Sequence, residues 1–385
     1  MNDFEFYNPV RILFGKEQLE KIGDLIPADK KIMLLYGGGS IKKNGVYDGI
    51  MNALQGRDIV EFQGIEPNPT YETCMKAVDL INKEKVNFLL AAGGGSVIDA
   101  TKFIAAAVMF EDGDLWNILS KQAVVKSSLP LGTVLTLPAT GTEMNKNAVI
   151  SRASTQEKFS FGSPLSYPQF SILLPEAAAT LPKKQVANGV VDAFVHVLEQ
   201  YLTYPVNAPL QDRMAEAILI TLIEEGPKAY ADPSDYESMS NLMWSATMAL
   251  NGIIKCGVPE DWSVHSIGHE LTAMHDIDHA RTLAIVLPGM WHVLKEEKKE
   301  KLLQYGERVW NITEGTDEER LDKTISRTEE FFQSFGIKTR FRDYGITEDT
   351  IDKIVKRFKG RGWLWTGDRK LVTLEVVRKV LEDRL

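Results

Sequence analysis

At 385 residues the chain exceeds one ordinary hydrophobic core, so two domains are expected. Its 44% hydrophobic and 25% charged residues describe a globular protein, with no apolar run approaching the ~20 residues of a membrane span. A net charge of −9 leaves no basic surplus to neutralise phosphates, which argues against a nucleic-acid or anionic-membrane partner.

The N-terminal stretch DFEFYNPVRILFG alternates Phe4 and Phe6 with acids before Val10, Ile12 and Leu13, and reads as an edge strand or hairpin. A helical stretch over 17–26 follows. The apolar run 32–36 then reads as a buried strand that stops at Gly37-Gly38-Gly39-Ser40. A polar turn near 64–69 leads to a helix over 71–84. Another apolar strand, 88–92, stops at Gly93-Gly94-Gly95-Ser96, and VIDATKFIAAAVMF after it has helix composition.

Strand, glycine run, helix is an order that aims helix N-terminal amides at a phosphate, and a Cβ there would hold the phosphate off. The same order also serves a tight turn with close helix–strand packing. The strict G-x-G-x-x-G fingerprint is absent. A third strand over 133–137 ends in Pro138-Ala139-Thr140-Gly141-Thr142-Glu143, whose hydroxyls either line a pyrophosphate or cap the next element. Lys158 follows a short strand at 149–151, and 170–174 reads as the last strand. Alternating strands and helices imply a largely parallel sheet with helices on both faces.

From Pro182 onward helical patterns alone are found, over 185–201, 210–224, 236–251, 262–274, 279–296, 299–310, 317–335 and 347–359. The expected division is an α/β domain over 1–180 and an all-helical domain over 181–385 that carries every histidine. The run KEEKKEK at 295–301 reads as a solvated helix face. Cys74 and Cys256 form neither a disulfide framework nor a thiolate metal site, which fits a reducing cytoplasm. No stretch reads as a secretory signal.

Four of the six histidines fall between His265 and His279. His265 and His269 are spaced i, i+4 and share one helix face. On one unbroken helix His279 would stand roughly 21 Å beyond His265 at ~1.5 Å per residue, so the two meet only if the chain turns back. Asp276 and Asp278 are turn and cap formers, and Asp278 can N-cap a helix starting at His279. In NGVVDAFVHVLEQYL, Asp192 and His196 form a second i, i+4 pair on an otherwise apolar face. Such groups are costly to bury unpaired. Either they pair with each other or cap neighbours, or they hold a divalent cation. One carboxylate with imidazoles and no thiolate suits Zn²⁺ or Fe²⁺.

Taken together, GGGS at 37–40, GGGSVIDATK at 93–102, PATGTE at 138–143, the Asp192/His196 pair and the His265 to His279 stretch resemble the iron-containing alcohol dehydrogenase family. Within it they are most similar to the NADPH-dependent aldehyde reductase and butanol dehydrogenase branch, over essentially the whole length. The resemblance implies a Rossmann-like α/β nucleotide-binding domain and a helical domain with the active site in the cleft between them. It implies metal ligands Asp192, His196, His265 and His279, with His269 nearby as a candidate proton relay, and hydride transfer between NADP(H) and short-chain aldehydes or primary alcohols.

For the cofactor it implies contacts from Gly37, Gly38, Gly39, Ser40, Asn68, Gly93, Gly94, Gly95, Ser96, Asp99, Thr136, Thr140, Thr142 and Lys158. Asp99 is the candidate for orienting the nicotinamide amide or ribose. The NAD-using relatives often carry an acid after the first nucleotide strand. Its absence at 37–40, with Lys42 and Lys43 close behind, favours NADPH. A homodimer through the N-terminal strand near Phe4 and Phe6 is also implied. Rival readings are a glycerol dehydrogenase-like or dehydroquinate synthase-like enzyme, or a non-catalytic nucleotide-binding protein. His275 and His292 are expected to be structural.

Overall fold

The computed structural model describes all 385 residues. The chain folds into two compact units. One comprises Tyr7–Val186 with Ala231–Asn251, the other Met1–Phe6, Ala187–Tyr230 and Gly252–Leu385.

In the first unit, six strands form one parallel sheet in the order β1-β8-β5-β4-β2-β3. They are β1 (Arg11–Phe14), β2 (Ile32–Tyr36), β3 (Ile59–Gln63), β4 (Phe88–Gly93), β5 (Leu131–Leu135) and β8 (Phe170–Leu173). β2, β4, β5 and β8 are buried along their whole length, which is why they read as continuous apolar runs. β3, IVEFQ, is half-exposed at the sheet edge and is a strand that the sequence pattern does not predict. At the other edge the expected N-terminal strand shrinks to β1, and Phe4, Phe6 and Tyr7 before it are exposed.

Helices α1 (Ile22–Leu25), α2 (Val46–Ala53), α3 (Tyr71–Glu84), α4 (Gly95–Ala107) and α5 (Asn117–Ser120) alternate with the strands. A separate antiparallel hairpin, β6 (Asn147–Arg152) and β7 (Glu157–Gly162), puts Lys158 on its second strand, opposite Ser151. Helix α8 (Tyr236–Ala249) belongs to this unit although it lies far along the chain.

The second unit contains α6 (Lys183–Tyr201), α7 (Pro209–Ala231), α9 (Ser263–His275), α10 (His279–Val293), α11 (Lys299–Trp310), α12 (Asp317–Ser334), α13 (Asp349–Gly360) and α14 (Leu374–Glu382). The first residues of α6 and the last of α7 fall in the sheet unit. A two-residue pairing, β9 (Trp365–Thr366) with β10 (Val372–Thr373), interrupts the otherwise helical C-terminal part. No helix is long and apolar enough to cross a membrane.

Helix α6 is anchored by Val190, Val191, Phe194, Val195 and Leu198, all 0–1% exposed. Each such side chain contributes about 1.5–3 kcal/mol on burial. Phe194 packs on Phe331 and Phe332 of α12, with ring centroids 5.1 and 5.9 Å away.

Candidate functional site

Three buried or half-buried helical segments bring the expected acid and histidines together. α6 presents Asp192 and His196 one turn apart. α9 begins two residues before His265, and α10 begins at His279. Between them, Asp276 adopts a left-handed conformation (φ 53°) and the chain reverses. Gly268 lets the two helices close up, because a Cβ there would stand 2.9 Å from Thr282 Oγ1 and 3.0 Å from Leu283 Cδ2. The rings of His265 and His279 end 5.2 Å apart, not the ~21 Å of a straight helix. α10 starts where expected, but the Asp278 side chain does not cap it. Its carboxylate instead accepts from Asn188 Nδ2 at 2.8 Å and pairs with Arg281.

Asp192 Oδ1 stands 3.7 Å from His196 Nε2 and 3.8 Å from His279 Nε2. These separations exceed a hydrogen bond. They are close to the ~3.4 Å between neighbouring ligands of a tetrahedral ion with arms of about 2.1 Å. Donor atoms of Asp192, His265 and His279 all lie within 4.8 Å of one another. The ring of His196 stacks on that of His265 at 4.8 Å. Buried Asp192 Oδ1 accepts no hydrogen bond from the protein, and such an atom is costly unless something else satisfies it. Burial pushes His196 down to about 4, so near neutral pH it is the unprotonated imidazole a metal requires. This donor set, one carboxylate oxygen and three imidazole nitrogens, fits a single divalent ion.

Glu199 completes the cluster, and the sequence reading does not include it. It lies three residues after His196 on the same face of α6. Its carboxylate bonds His265 Nδ1 and accepts the backbone N–H groups of Val264 (2.7 Å) and His265 (3.2 Å) at the start of α9. With Nδ1 committed to Glu199, Nε2 is the nitrogen left to donate to an ion. Burial raises Glu199 to about 8, against the pull of those amides and of Lys298. The i, i+4, i+7 spacing of Asp192, His196 and Glu199 is the available signal.

His269 is half-buried, with its ring 5.0 Å from that of His279 and 6.3 Å from that of His265. Trp262 packs edge-on to His265 at 5.1 Å, from a backbone held at φ 61°, a strained conformation for a bulky residue. His275 bonds Thr350 and His292 pairs with Asp383, apart from the ring contacts that join the other four.

The lysine run at 295–301 is not a uniformly solvated face. Lys298 is nearly buried against Asp261 (2.7 Å), Lys301 is buried against Asp212 (2.6 Å), and Lys299 pairs with Asp317. Asp261 in turn accepts the Ser263 N–H at the first turn of α9.

In the sheet unit, α4 begins at Gly95 immediately after β4. The glycines there have packing reasons as well as any phosphate. A Cβ on Gly93 would stand 2.7 Å from Val97, on Gly94 3.1 Å from Leu137, and on Gly95 2.4 Å from Thr140 Oγ1. Gly38 differs. It has no positive φ, and a Cβ there would meet nothing within 4 Å, so neither backbone conformation nor packing requires a glycine at that position.

Thr136 donates its backbone N–H to Gly93 O at 3.0 Å, and Thr140 Oγ1 accepts from the Thr142 N–H. Lys158 Nζ donates to Asn68 Oδ1 at 2.8 Å. Asp99 is held at both oxygens, by the Thr142 hydroxyl at 2.6 Å and the Val149 N–H at 2.9 Å. Fully buried Lys102 donates to Thr142 Oγ1 and to the carbonyls of Asn145 and Asn147, each at 2.8 Å. It thereby clamps the loop that positions Asp99, a role the sequence reading does not assign.

The turn at 37–40 carries no acid of its own, as the sequence reading has it, but a neighbouring strand supplies one against Lys42. It comes from β3. Glu61 accepts from the Tyr36 and Tyr47 hydroxyls at 2.6 and 2.7 Å and pairs with Lys42 at 3.4 Å. Burial works to raise its carboxyl, but these three donors hold it below its usual range.

Residues 9–175 match the family model for iron-containing alcohol dehydrogenase, and residues 186–378 match that for the C-terminal part of the Fe-containing alcohol dehydrogenase family. The chain is 53% identical over 384 residues to the NADPH-dependent aldehyde reductase YqhD of Escherichia coli, covering 99% of each chain. It is 40% identical over 390 residues to the probable NADH-dependent butanol dehydrogenase 1 of Bacillus subtilis, covering 100% of each. The crystal structure of Escherichia coli YqhD superposes with a TM-score of 0.98 at 52% identity, covering 100% of this chain and 99% of that one. That of NADH-dependent butanol dehydrogenase A from Thermotoga maritima gives 0.95 at 37%, with the same coverage.

Proposed function

The chain belongs to the iron-containing alcohol dehydrogenase family, and from that membership we propose that it is an NADP(H)-dependent aldehyde reductase and alcohol dehydrogenase. Its substrates would be short-chain aldehydes and primary alcohols of the butanal and butanol type, in keeping with the names of its relatives. The observation that carries this reading is the meeting of Asp192, His196, His265 and His279 around a buried carboxylate oxygen that accepts no hydrogen bond.

Asp192, His196, His265 and His279 would hold Zn²⁺ or Fe²⁺, which when bound would supply Lewis-acid polarisation of a substrate oxygen. Glu199 fixes the tautomer and angle of His265. His269, half-buried beside His279, passes the proton between substrate and solvent. Amides of Gly93, Gly94, Gly95 and Ser96, where β4 passes into α4, receive the pyrophosphate. Asp99, held by Thr142 and Val149, orients the nicotinamide end. Asn68, Thr136, Thr140, Thr142 and Lys158 line the cofactor, and Gly37, Gly38, Gly39 and Ser40 receive the adenosine ribose. The protein's task is to hold hydride donor and acceptor carbons together and exclude water. Exposed Phe4, Phe6 and Tyr7, which precede β1 in the chain, fit a homodimer contact, and two free cysteines fit a cytoplasmic setting.

The deciding assay follows NADPH oxidation with butanal before and after chelator dialysis, then with Zn²⁺ or Fe²⁺ restored separately. Loss on chelation and recovery with one ion is the expected result and names the ion. Activity indifferent to chelation would sink the reading.

A further inference from the structure

The relatives divide between NADPH and NADH in their names, so family membership leaves the choice of nucleotide to local chemistry. The two cofactors differ only in the 2′-phosphate, which adds negative charge where NADH has a ribose hydroxyl. Two residues past Ser40, the Lys42 ammonium stands 5.1 Å from the centroid of the Tyr36 ring and 4.6 Å from that of Tyr47. Glu61 pairs with it at 3.4 Å and is itself tethered by both tyrosine hydroxyls. Lys43, the next residue, makes no ion pair or ring contact.

One base and one acid are thus held in place beside the turn. Their side chains are 41% and 36% exposed, within reach of a ligand. A lysine already ordered by two aromatic faces loses less side-chain freedom on meeting an anion than a mobile one. An adjacent carboxylate both repels an incoming phosphate and competes with it for the ammonium.

Resting on the proposed nicotinamide-dependent function, we propose that Lys42 and Glu61 set the preference between NADP(H) and NAD(H), and do so with opposite signs. Lys42 attracts the 2′-phosphate. Glu61 tempers that attraction while keeping Lys42 in position through Tyr36 and Tyr47. The pair therefore acts as a graded selector whose setting either partner can move.

The test measures dissociation constants for NADPH and NADH by calorimetry on the full-length wild type and on Lys42→Ala, Lys42→Gln and Glu61→Gln. Lys42→Ala should weaken NADPH about tenfold and leave NADH within about twofold. Lys42→Gln, which keeps the stem against the rings, should behave like Lys42→Ala. Glu61→Gln, whose amide can accept from one tyrosine hydroxyl and donate to the other, should tighten NADPH about threefold. Because both nucleotides are measured on one preparation, misfolded protein alters the stoichiometry and not the ratio of constants. A wild type that binds NADPH, with a ratio unmoved by either Lys42 change or lowered by Glu61→Gln, overturns the inference alone. A wild type that binds neither nucleotide overturns the proposed function and this inference with it.

Discussion

Around Asp192 the chemical groups are buried side chains, contributed by three helices from positions as distant as 192 and 279. Around Gly93 and Gly38 they are backbone amides of short turns that each follow a single strand. The first arrangement exists only when α6, α9 and α10 pack correctly. The second needs little more than the room that a missing Cβ leaves beside the backbone. Removing a side chain should therefore disable the cluster without unfolding it, while adding a Cβ to a turn should affect folding or binding according to the space available.

The largest effect is expected from His265→Ala. Its kcat should fall by about a thousandfold or more with the far-UV circular dichroism unchanged, and full activity in that variant would remove the metal assignment.

Acid should reveal the cost of the burial that keeps His196 neutral. Its folded pKa is about 4 against 6.5 in the unfolded chain, so between those values the unfolded state binds more protons and stability falls as pH falls. The loss amounts to up to about 3 kcal/mol in metal-free protein. Urea midpoints at pH 7.5 and 4.5 should drop further for the wild type than for His196→Asn, and equal drops would show that His196 does not carry the effect.

A smaller change is expected on leaving the ligands intact and altering only their support. Glu199→Gln should weaken metal binding by about 10–100-fold, with activity regained in excess metal. Metal titration of the stripped variant would read this directly, and wild-type affinity would make Glu199 a packing residue only.

The glycine turns offer the finest discrimination. Gly95→Ala must displace Thr140 and should cost about 1–3 kcal/mol of stability. Gly38→Ala meets nothing, so its melting temperature should stay put while NADPH binding weakens by about fivefold. Unchanged binding in Gly38→Ala would mean that no phosphate approaches this turn.

Periodicity makes the buried strands legible, because β2, β4 and β8 are short apolar runs ended by Gly or Pro, and it makes α6, α9, α10 and α11 legible through helical spacing. β3 escapes because IVEFQ at a half-exposed edge carries too little apolar signal. Lys298 and Lys301 mislead for the opposite reason, since a charge run says nothing about partners such as Asp261 and Asp212 more than thirty residues away.

What the sequence determined alone are features whose cause is local: the glycine turns, the helix starts, and the two i, i+4 pairs that placed Asp192 with His196 and His265 with His269. Tertiary structure decided which pairs meet. It turned the chain at Asp276 so that His279 reached His265, gave Glu199 to the His265 ring, set Lys102 under the loop that holds Asp99, and delivered Glu61 from a neighbouring strand to Lys42. Those outcomes depend on how elements distant in sequence bury their faces against one another, and local spacing does not encode that packing.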